Sequence, residues 1–337
     1  MSSTLSDLLT RTLGAARAAA LLDLLVVHPD LTRPAGTVSR AVMAQALNMV
    51  LFDDLLARVP DARAYADDAR AAGQTLFHDH GAVRTVALDG MGALPAGEEA
   101  LVRILRPLGY VQNGVYPLER LKMTGRSYAQ ADHPEAVAQF FVSELHVDRF
   151  SPAFQAAARA VTGASRDPLS DAAKAVLTGF ERDGEASFED AAAALPVLAA
   201  AFGRQHPTPA LADYEALLAE SAEMAWIATE GNAFNHATDR VADVDALAAA
   251  QKALGRPMKA EVEVSASGRV RQTAFRAAQV ERRFRDGAGG EVARAVPGSF
   301  YEFITRLPMP GEAALDLAFD SSNAQGIFKM TEAAGSA

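Results

Sequence analysis

One short pattern, a His followed four residues later by an Arg, occurs twice in this chain, each time in the same place within a similar order of elements. The first copy reads His80-Gly-Ala-Val-Arg84 and the second His236-Ala-Thr-Asp-Arg240, with the histidines 156 residues apart. Around the first copy, Val83, Thr85 and Val86 have the β-branched character of a strand. Breakers follow at Gly90, Gly92, Pro95 and Gly97, then a helical pattern over Glu98 to Leu105 that stops before Pro107 and Gly109. Tyr110 to Val115, Leu121 to Ala129 and Val137 to Val147 read as three more strands, although Pro134 could open a helix over the last of them. Around the second copy, Trp226 to Thr229 is expected to begin a strand and Val244 to Leu254 to form a helix. Residues 261–264, 269–275, 291–294 and 299–305 are expected to be the remaining strands. The order of a strand, a helix and a run of strands thus recurs, with one stretch more in the second set, which predicts an α+β fold with two equivalent β-α-β-β-β modules.

The rest of the chain frames this duplication. Leu5, Leu8, Leu9 and Leu13, then Val42, Ala46, Met49 and Val50, recur at helical spacing. The expected organisation is an N-terminal helical segment over 1–75 and a first module over 76–150. An Ala-rich helical insertion over 151–225 precedes the second module with a C-terminal segment over 226–332.

Composition excludes several classes of function. The chain has 337 residues and a formal net charge of −10, a poor match for nucleic acid or an anionic membrane. It has no Cys, so thiolate metal sites, disulfides and Cys nucleophiles are absent. No run of about 18 apolar residues predicts a membrane span. The apolar stretch Ala18 to Val27 is interrupted by Asp23 and does not read as a secretory signal, so a cytoplasmic enzyme is expected. Neither GxxxxGK[ST] nor GxSxG occurs.

Of seven histidines, His28, His133 and His206 each precede Pro and read as helix ends and loops. His80 and His236 stand at equivalent points of the two modules. With one carboxylate they would form the two-histidine, one-carboxylate face of a non-haem iron site. Glu302, between Tyr301 and Phe303, is the best third ligand, because a carboxylate on a buried strand needs a partner. The alternative is a Glu302 that points to solvent. Glu144, in the corresponding strand of the first module, reads as a fourth ligand or as one arm of a supporting salt bridge; His146 lies beside it. Arg84 shares parity with His80 and therefore faces the same side of a strand. It would read a substrate carboxylate, or pair locally with Asp79 or Asp89.

Three strings together resemble the 2-oxoadipate dioxygenase/decarboxylase family, a former domain of unknown function in the vicinal oxygen chelate superfamily. They are His78-Asp-His80-Gly-Ala-Val-Arg84-Thr, Gly231-Asn-Ala-Phe-Asn-His236-Ala-Thr-Asp-Arg240-Val and Ser322-Asn-Ala-Gln-Gly-Ile-Phe328. The resemblance runs from about residue 70 to about 332. It implies that the modules form an open barrel around iron(II), with His80, His236 and Glu302 as metal ligands. It further implies substrate-binding roles for Arg84, Ser322 and Asn323. The implied reaction converts 2-oxoadipate and O2 to 2-hydroxyglutarate and CO2 in lysine breakdown. Two other readings stand beside it. One is a glyoxalase-like isomerase or lyase using zinc, nickel or manganese with Glu144 as base. The other is a small-molecule binding protein without turnover.

Overall fold

The structure is a computed structural model that describes residues 2–311 and 313–319. Its first quarter follows from spacing and caps. Ser3 accepts from the Ser6 N–H and starts α1 (Thr4–Leu13), whose Leu5, Leu8 and Leu9 are fully buried. Next come α2 (Ala15–Leu24), a short β1 (Thr37–Ser39), α3 (Arg40–Arg58) and α4 (Pro60–Ala71), with Pro60 in the first turn of α4. Every residue of α3 from Ala41 to Asp53 is buried. Polar groups on so deep a helix need partners, and the Asn48 amide donates to the Tyr110 hydroxyl at 2.7 Å.

The first module runs β2 (His78–Ala87), α5 (Glu99–Leu105), β3 (Tyr110–Leu118), β4 (Met123–Gln130) and β5 (Gln139–His146). The stretch 137–147, open between strand and helix in the sequence, is therefore a strand. The helices α6 (Pro152–Thr162) and α7 (Asp171–Asp183) follow, then β6 (Glu185–Ser187), which pairs with β1. Next are α8 (Phe188–Ala200), α9 (Leu211–Leu218) and α10 (Ala222–Glu230). The remaining elements are β7 (Phe234–Arg240), α11 (Val244–Ala253), β8 (Glu263–Val264), β9 (Val270–Ala274), β10 (Gln279–Arg285), β11 (Glu291–Pro297) and β12 (Phe300–Arg306).

Eight strands form one curled half-barrel sheet in the order β3-β4-β5-β2-β7-β12-β9-β8. The central seam, β2 against β7, is antiparallel, and on either side the parallel pairs β2–β5 and β7–β12 mirror each other. One face packs Val83, Phe140, Val142, Phe234, Tyr301 and Phe303 against the N-terminal helices and α8. On the other face, Val86 and Leu145 join a second cluster with α6, α9 and α10. Each large apolar side chain so buried contributes roughly 1.5–3 kcal/mol.

Two expectations are corrected. Trp226 to Thr229 is not a strand but part of α10. The Ser221 hydroxyl caps that helix at Met224 N–H, and Gly231, at φ 66°, ends it. The strand begins only at Phe234. Residues 291–294 do not belong to the main sheet. They lie in β11, which pairs only with β10, a strand its charged residues had hidden. The apolar face of this hairpin, Val280, Phe284, Val292 and Val296, packs in the second cluster with Tyr214 and Leu217 of α9. Without the hairpin, the second half keeps the order strand, helix, strand, strand, strand.

Candidate metal centre

The site is built at the seam by two β-bulges. Along β2, His78 pairs with Asp239 and His80 with Thr238, so Asp79 is an extra residue. Along β7, Ala82 faces His236 and Val83 faces Phe234, so Asn235 is extra. A bulge re-aims the side chains beside it. His78 and His80 share sequence parity yet take different surroundings. His78 packs 5.0 Å from the Phe52 ring of α3, whereas His80 meets His236 at 5.7 Å between ring centroids. Each bulged residue turns its side-chain oxygen toward Nδ1 of the histidine after it. Asp79 Oδ1 lies 2.8 Å from His80 Nδ1, and Asn235 Oδ1 lies 3.3 Å from His236 Nδ1. Next to His80 only a glycine fits, because a Cβ at Gly81 would stand 2.2 Å from the Phe234 ring.

Glu302 completes the group from β12, where it lies beside Thr238 in parallel register. Its Oε1 is 3.8 Å from His80 Nε2 and its Oε2 is 3.9 Å from His236 Nε2. One ligand atom from each of the three residues lies within 4.8 Å of the others, and all three residues are buried. The Thr238 hydroxyl sits 3.1 Å from His80 Nε2 and donates to Glu302 Oε1 at 3.4 Å.

The electrostatics prepare this group for a cation. Burial opposes the Asp79 charge, but Arg306, the His80 hydrogen bond and Arg240 hold its carboxyl well below the usual range. The ionised Asp79 accepts from His80 Nδ1–H and leaves the Nε2 lone pair facing Glu302. Burial pushes both imidazoles toward the neutral form that ligates metal, with His80 and Arg84 adding to the effect on His236. Burial raises the Glu302 carboxyl to about 8. Glu302 Oε2 has no hydrogen-bond partner among the described residues. A buried carboxylate oxygen without a donor is costly, and a metal ion shared with two neutral imidazoles removes that cost. The donor set of two nitrogens and one oxygen suits a first-row transition metal.

Arg306 links this group to the segment after β12. Its Nε and Nη2 donate to Asp79, and its Nη1 donates to the carbonyls of Asp316 and Ala318 at 2.9 Å each. The Phe319 N–H donates to the Tyr116 hydroxyl at 3.0 Å. The Phe319 ring stands perpendicular to His80 at 4.7 Å and packs 4.9 Å from Phe141.

Arg84 lies on β2, two strand repeats beyond His80, with its guanidinium 5.1 Å from the Trp226 ring. Burial lowers it to about 10 against the opposing effect of Glu223, so it stays charged at neutral pH. The local pairing with Asp79 is not formed, since Arg306 and Arg240 take that carboxylate. Glu144 does not join the histidines. By strand parity it lies on the face of Phe140 and Val142, where it accepts from Glu98 N–H at 2.7 Å and from Arg126 at 3.3 Å. His146 instead meets Thr124 at 2.8 Å. Ser322 and Asn323 lie outside the described residues.

Sequence reasoning passed over Asp79, Asn235, Arg240, Arg306 and Phe319. The signal for the first two was present, an Asp or Asn immediately before each repeated histidine. A strict two-residue period puts such neighbours on opposite faces, and only a bulge brings them together.

A curled half-barrel sheet, built from two β-α-β-β-β halves, thus carries at its seam a buried two-histidine, one-glutamate group that could hold a metal ion. The family model for 2-oxoadipate dioxygenase/decarboxylase matches residues 43–331, and the chain belongs to this family. The chain is 57% identical to a glyoxalase superfamily protein of Ralstonia eutropha JMP134, covering 94% of this chain and 98% of that one, with a TM-score of 0.91. Two hydroxyglutarate synthases, each solved in complex with 2-oxoadipate, share the fold. The Oryza sativa enzyme is 20% identical over 89% of this chain and 97% of its own, with a TM-score of 0.65. The Pseudomonas putida enzyme is 19% identical over 88% and 74%, with a TM-score of 0.59. No curated protein matches the chain. No helix among the described residues is long and apolar enough to cross a membrane.

Proposed function

We propose that this protein is an iron(II)-dependent dioxygenase/decarboxylase acting on a 2-oxo diacid. 2-Oxoadipate is the first candidate, with 2-hydroxyglutarate and CO2 as products, as in lysine catabolism. The observation that carries this reading is the buried Glu302 carboxylate, whose two oxygens face the neutral imidazoles of His80 and His236 and whose Oε2 has no donor among the described residues. Iron(II) bound by His80, His236 and Glu302 would supply the redox chemistry that couples O2 to loss of CO2 from a 2-oxo acid. The protein's own part is positioning. Asp79 holds the His80 ring, and Phe319 and Phe141 form an apolar wall that excludes water beside it. The isomerase reading loses the base it required, because Glu144 is held by Arg126 and the Glu98 N–H.

Arg84 is the reader of the distal carboxylate in this proposal. At about 3.3 Å per residue its Cα stands about 13 Å from that of His80, a span that two side chains and a short diacid fill. Its planar guanidinium offers two parallel donors that an ammonium does not. Ser322 and Asn323 remain substrate contacts on the strength of the resemblance.

The test is O2 consumption by iron(II)-loaded protein across a panel of 2-oxo acids, with mass analysis of products. The expected result is consumption linked to a 2-hydroxy acid one carbon shorter. An iron-loaded protein that consumes no O2 with any 2-oxo acid would refute the reading. Arg84→Lys should keep its iron and lose more kcat/KM on 2-oxoadipate than on a monoacid of similar length. Equal losses would remove Arg84 from the distal carboxylate.

A further inference from the structure

Among the described residues, two groups bring three metal-ligating side chains within 4.8 Å of one another. One is the buried group at the seam, and the other is His28, Asp30 and His133. The second group uses no residue of the first and lies at the surface. We propose that it is a binding site for a zinc-class divalent cation, which ties the N-terminal helical segment to the loop between β4 and β5.

Two His-Pro dipeptides meet here, His28-Pro29 and His133-Pro134. A following proline holds the preceding residue extended and narrows its freedom. Each backbone is also anchored. The chain just before His28 pairs with Leu76, through Leu76 N–H to Leu24 O at 2.8 Å and Val26 N–H to Leu76 O at 2.9 Å. His133 N–H donates to Gln130 Oε1 at 2.8 Å, and its carbonyl accepts from Ala136 and Val137. The two imidazole centroids come to 4.8 Å. Arg33 pairs with Asp30 Oδ1 at 2.6 Å, while Asp30 Oδ2 faces His28 Nδ1 at 3.7 Å. The carboxylate is thus oriented by one oxygen and free to ligate with the other. His28 Nδ1 accepts only a long bond from Asp30 N–H, at 3.3 Å, which a metal on that nitrogen would replace.

Two imidazoles and a carboxylate select a borderline cation such as zinc over magnesium or calcium, which prefer oxygen alone. The half-exposed position leaves the fourth coordination site to water. The ligands come from segments 105 residues apart, so they converge only in the folded chain. Binding must therefore favour the native state.

The experiment uses the full chain carrying Glu302→Ala, which disables the buried group and leaves the surface one. Calorimetric titration with zinc should find one equivalent, and zinc should raise the melting temperature by several degrees. Adding His133→Ala, or separately the more conservative His133→Gln, should weaken zinc at least tenfold and abolish the thermal shift. In the otherwise unaltered chain, His133→Ala should leave iron content and turnover intact, so failure here is distinct from failure of the catalytic reading. No zinc uptake by Glu302→Ala, or the same affinity after both His133 changes, would overturn the proposal. So would zinc that binds without raising the melting temperature.

Discussion

The half-sheet of β2, β3, β4 and β5 and the half-sheet of β7, β8, β9 and β12 each place a histidine at the seam, with a bulged residue before it. They differ one strand further out. In the second half, β12 sets Glu302 beside Thr238, two residues after His236. In the first half the matching position, beside Ala82 and two residues after His80, is Phe141. A fully symmetric duplication would bring two histidines and two carboxylates together. This chain brings two histidines and one carboxylate, with an aromatic wall of Phe141, Phe319 and Tyr116 where the second carboxylate would stand. The difference teaches that a metal ion held by these three residues would have no protein ligand on the side of the first half.

The largest effect expected from testing this comparison lies on the second half. Glu302→Ala should abolish iron retention and turnover, as read by metal analysis after loading and by O2 consumption. Retained iron would show that the asymmetry between the halves is irrelevant to the metal.

Making the halves alike should come next in size. Phe141→Glu should slow metal loss to a chelator while lowering turnover by about 10²-fold, the scale of one catalytic contact. Phe141→Leu should keep both the metal and most of the turnover. If the Glu and Leu variants behave alike, position 141 does not border the open side.

The two bulged residues give a smaller contrast. Asp79 is charged, lies 2.8 Å from its histidine and is held by Arg306, whereas Asn235 is neutral and lies 3.3 Å away. Asp79→Asn should weaken metal binding by about 10–100-fold, and it leaves the guanidinium groups of Arg306 and Arg240 without their anion. Asn235→Ala should cost less than about tenfold. Equal losses in a metal titration would erase the distinction.

The smallest effect concerns how the first half is fastened to the helices. Arg40 on α3 donates two hydrogen bonds to Asp132, which pull that carboxyl down to about 2. A depressed carboxyl stabilises the fold above its unfolded value, near 3.8, and the gain is lost as pH falls toward 2. Both side chains are 37% exposed, so solvent screening keeps the contribution below about 1 kcal/mol. Arg40→Gln should lower stability by that amount at pH 7 and by progressively less as the pH falls through about 2, measured by denaturant unfolding.

The sequence showed the first half more clearly than the second. Val83, Thr85 and Val86 and the breakers after them carry local signals that the fold obeys. The short apolar run at Trp226 has no period of its own, and only the Ser221 cap and Gly231 show that it is a helix. The strand β10 was concealed because Glu281, Arg282, Arg283 and Arg285 dilute its alternation, so residues 291–294 were read without their hairpin partner. His80 and His236 were legible because each is followed by an Arg four residues later at the same place in its half, and Glu302 because a carboxylate between aromatics demands a reason. Asp79 and Arg306 were not, since their meeting depends on a bulge and on a contact spanning 227 positions.

Each bulge amounts to one codon. Inserting a single residue into a strand normally puts everything on one side of it out of phase, yet the seam has absorbed such an insertion twice, once in each strand. Substitution and deletion at the same position therefore have different meanings here. Replacing Asp79 removes an acceptor but keeps the phase, so His80 still points at Glu302. Deleting it restores the plain alternation of the strand, and His80 and His78 can then no longer serve the group around Glu302 and the helix-packed core separately. For anyone reading related genes, a one-residue gap before the repeated histidine marks a different architecture at the seam, even where the histidine itself is retained.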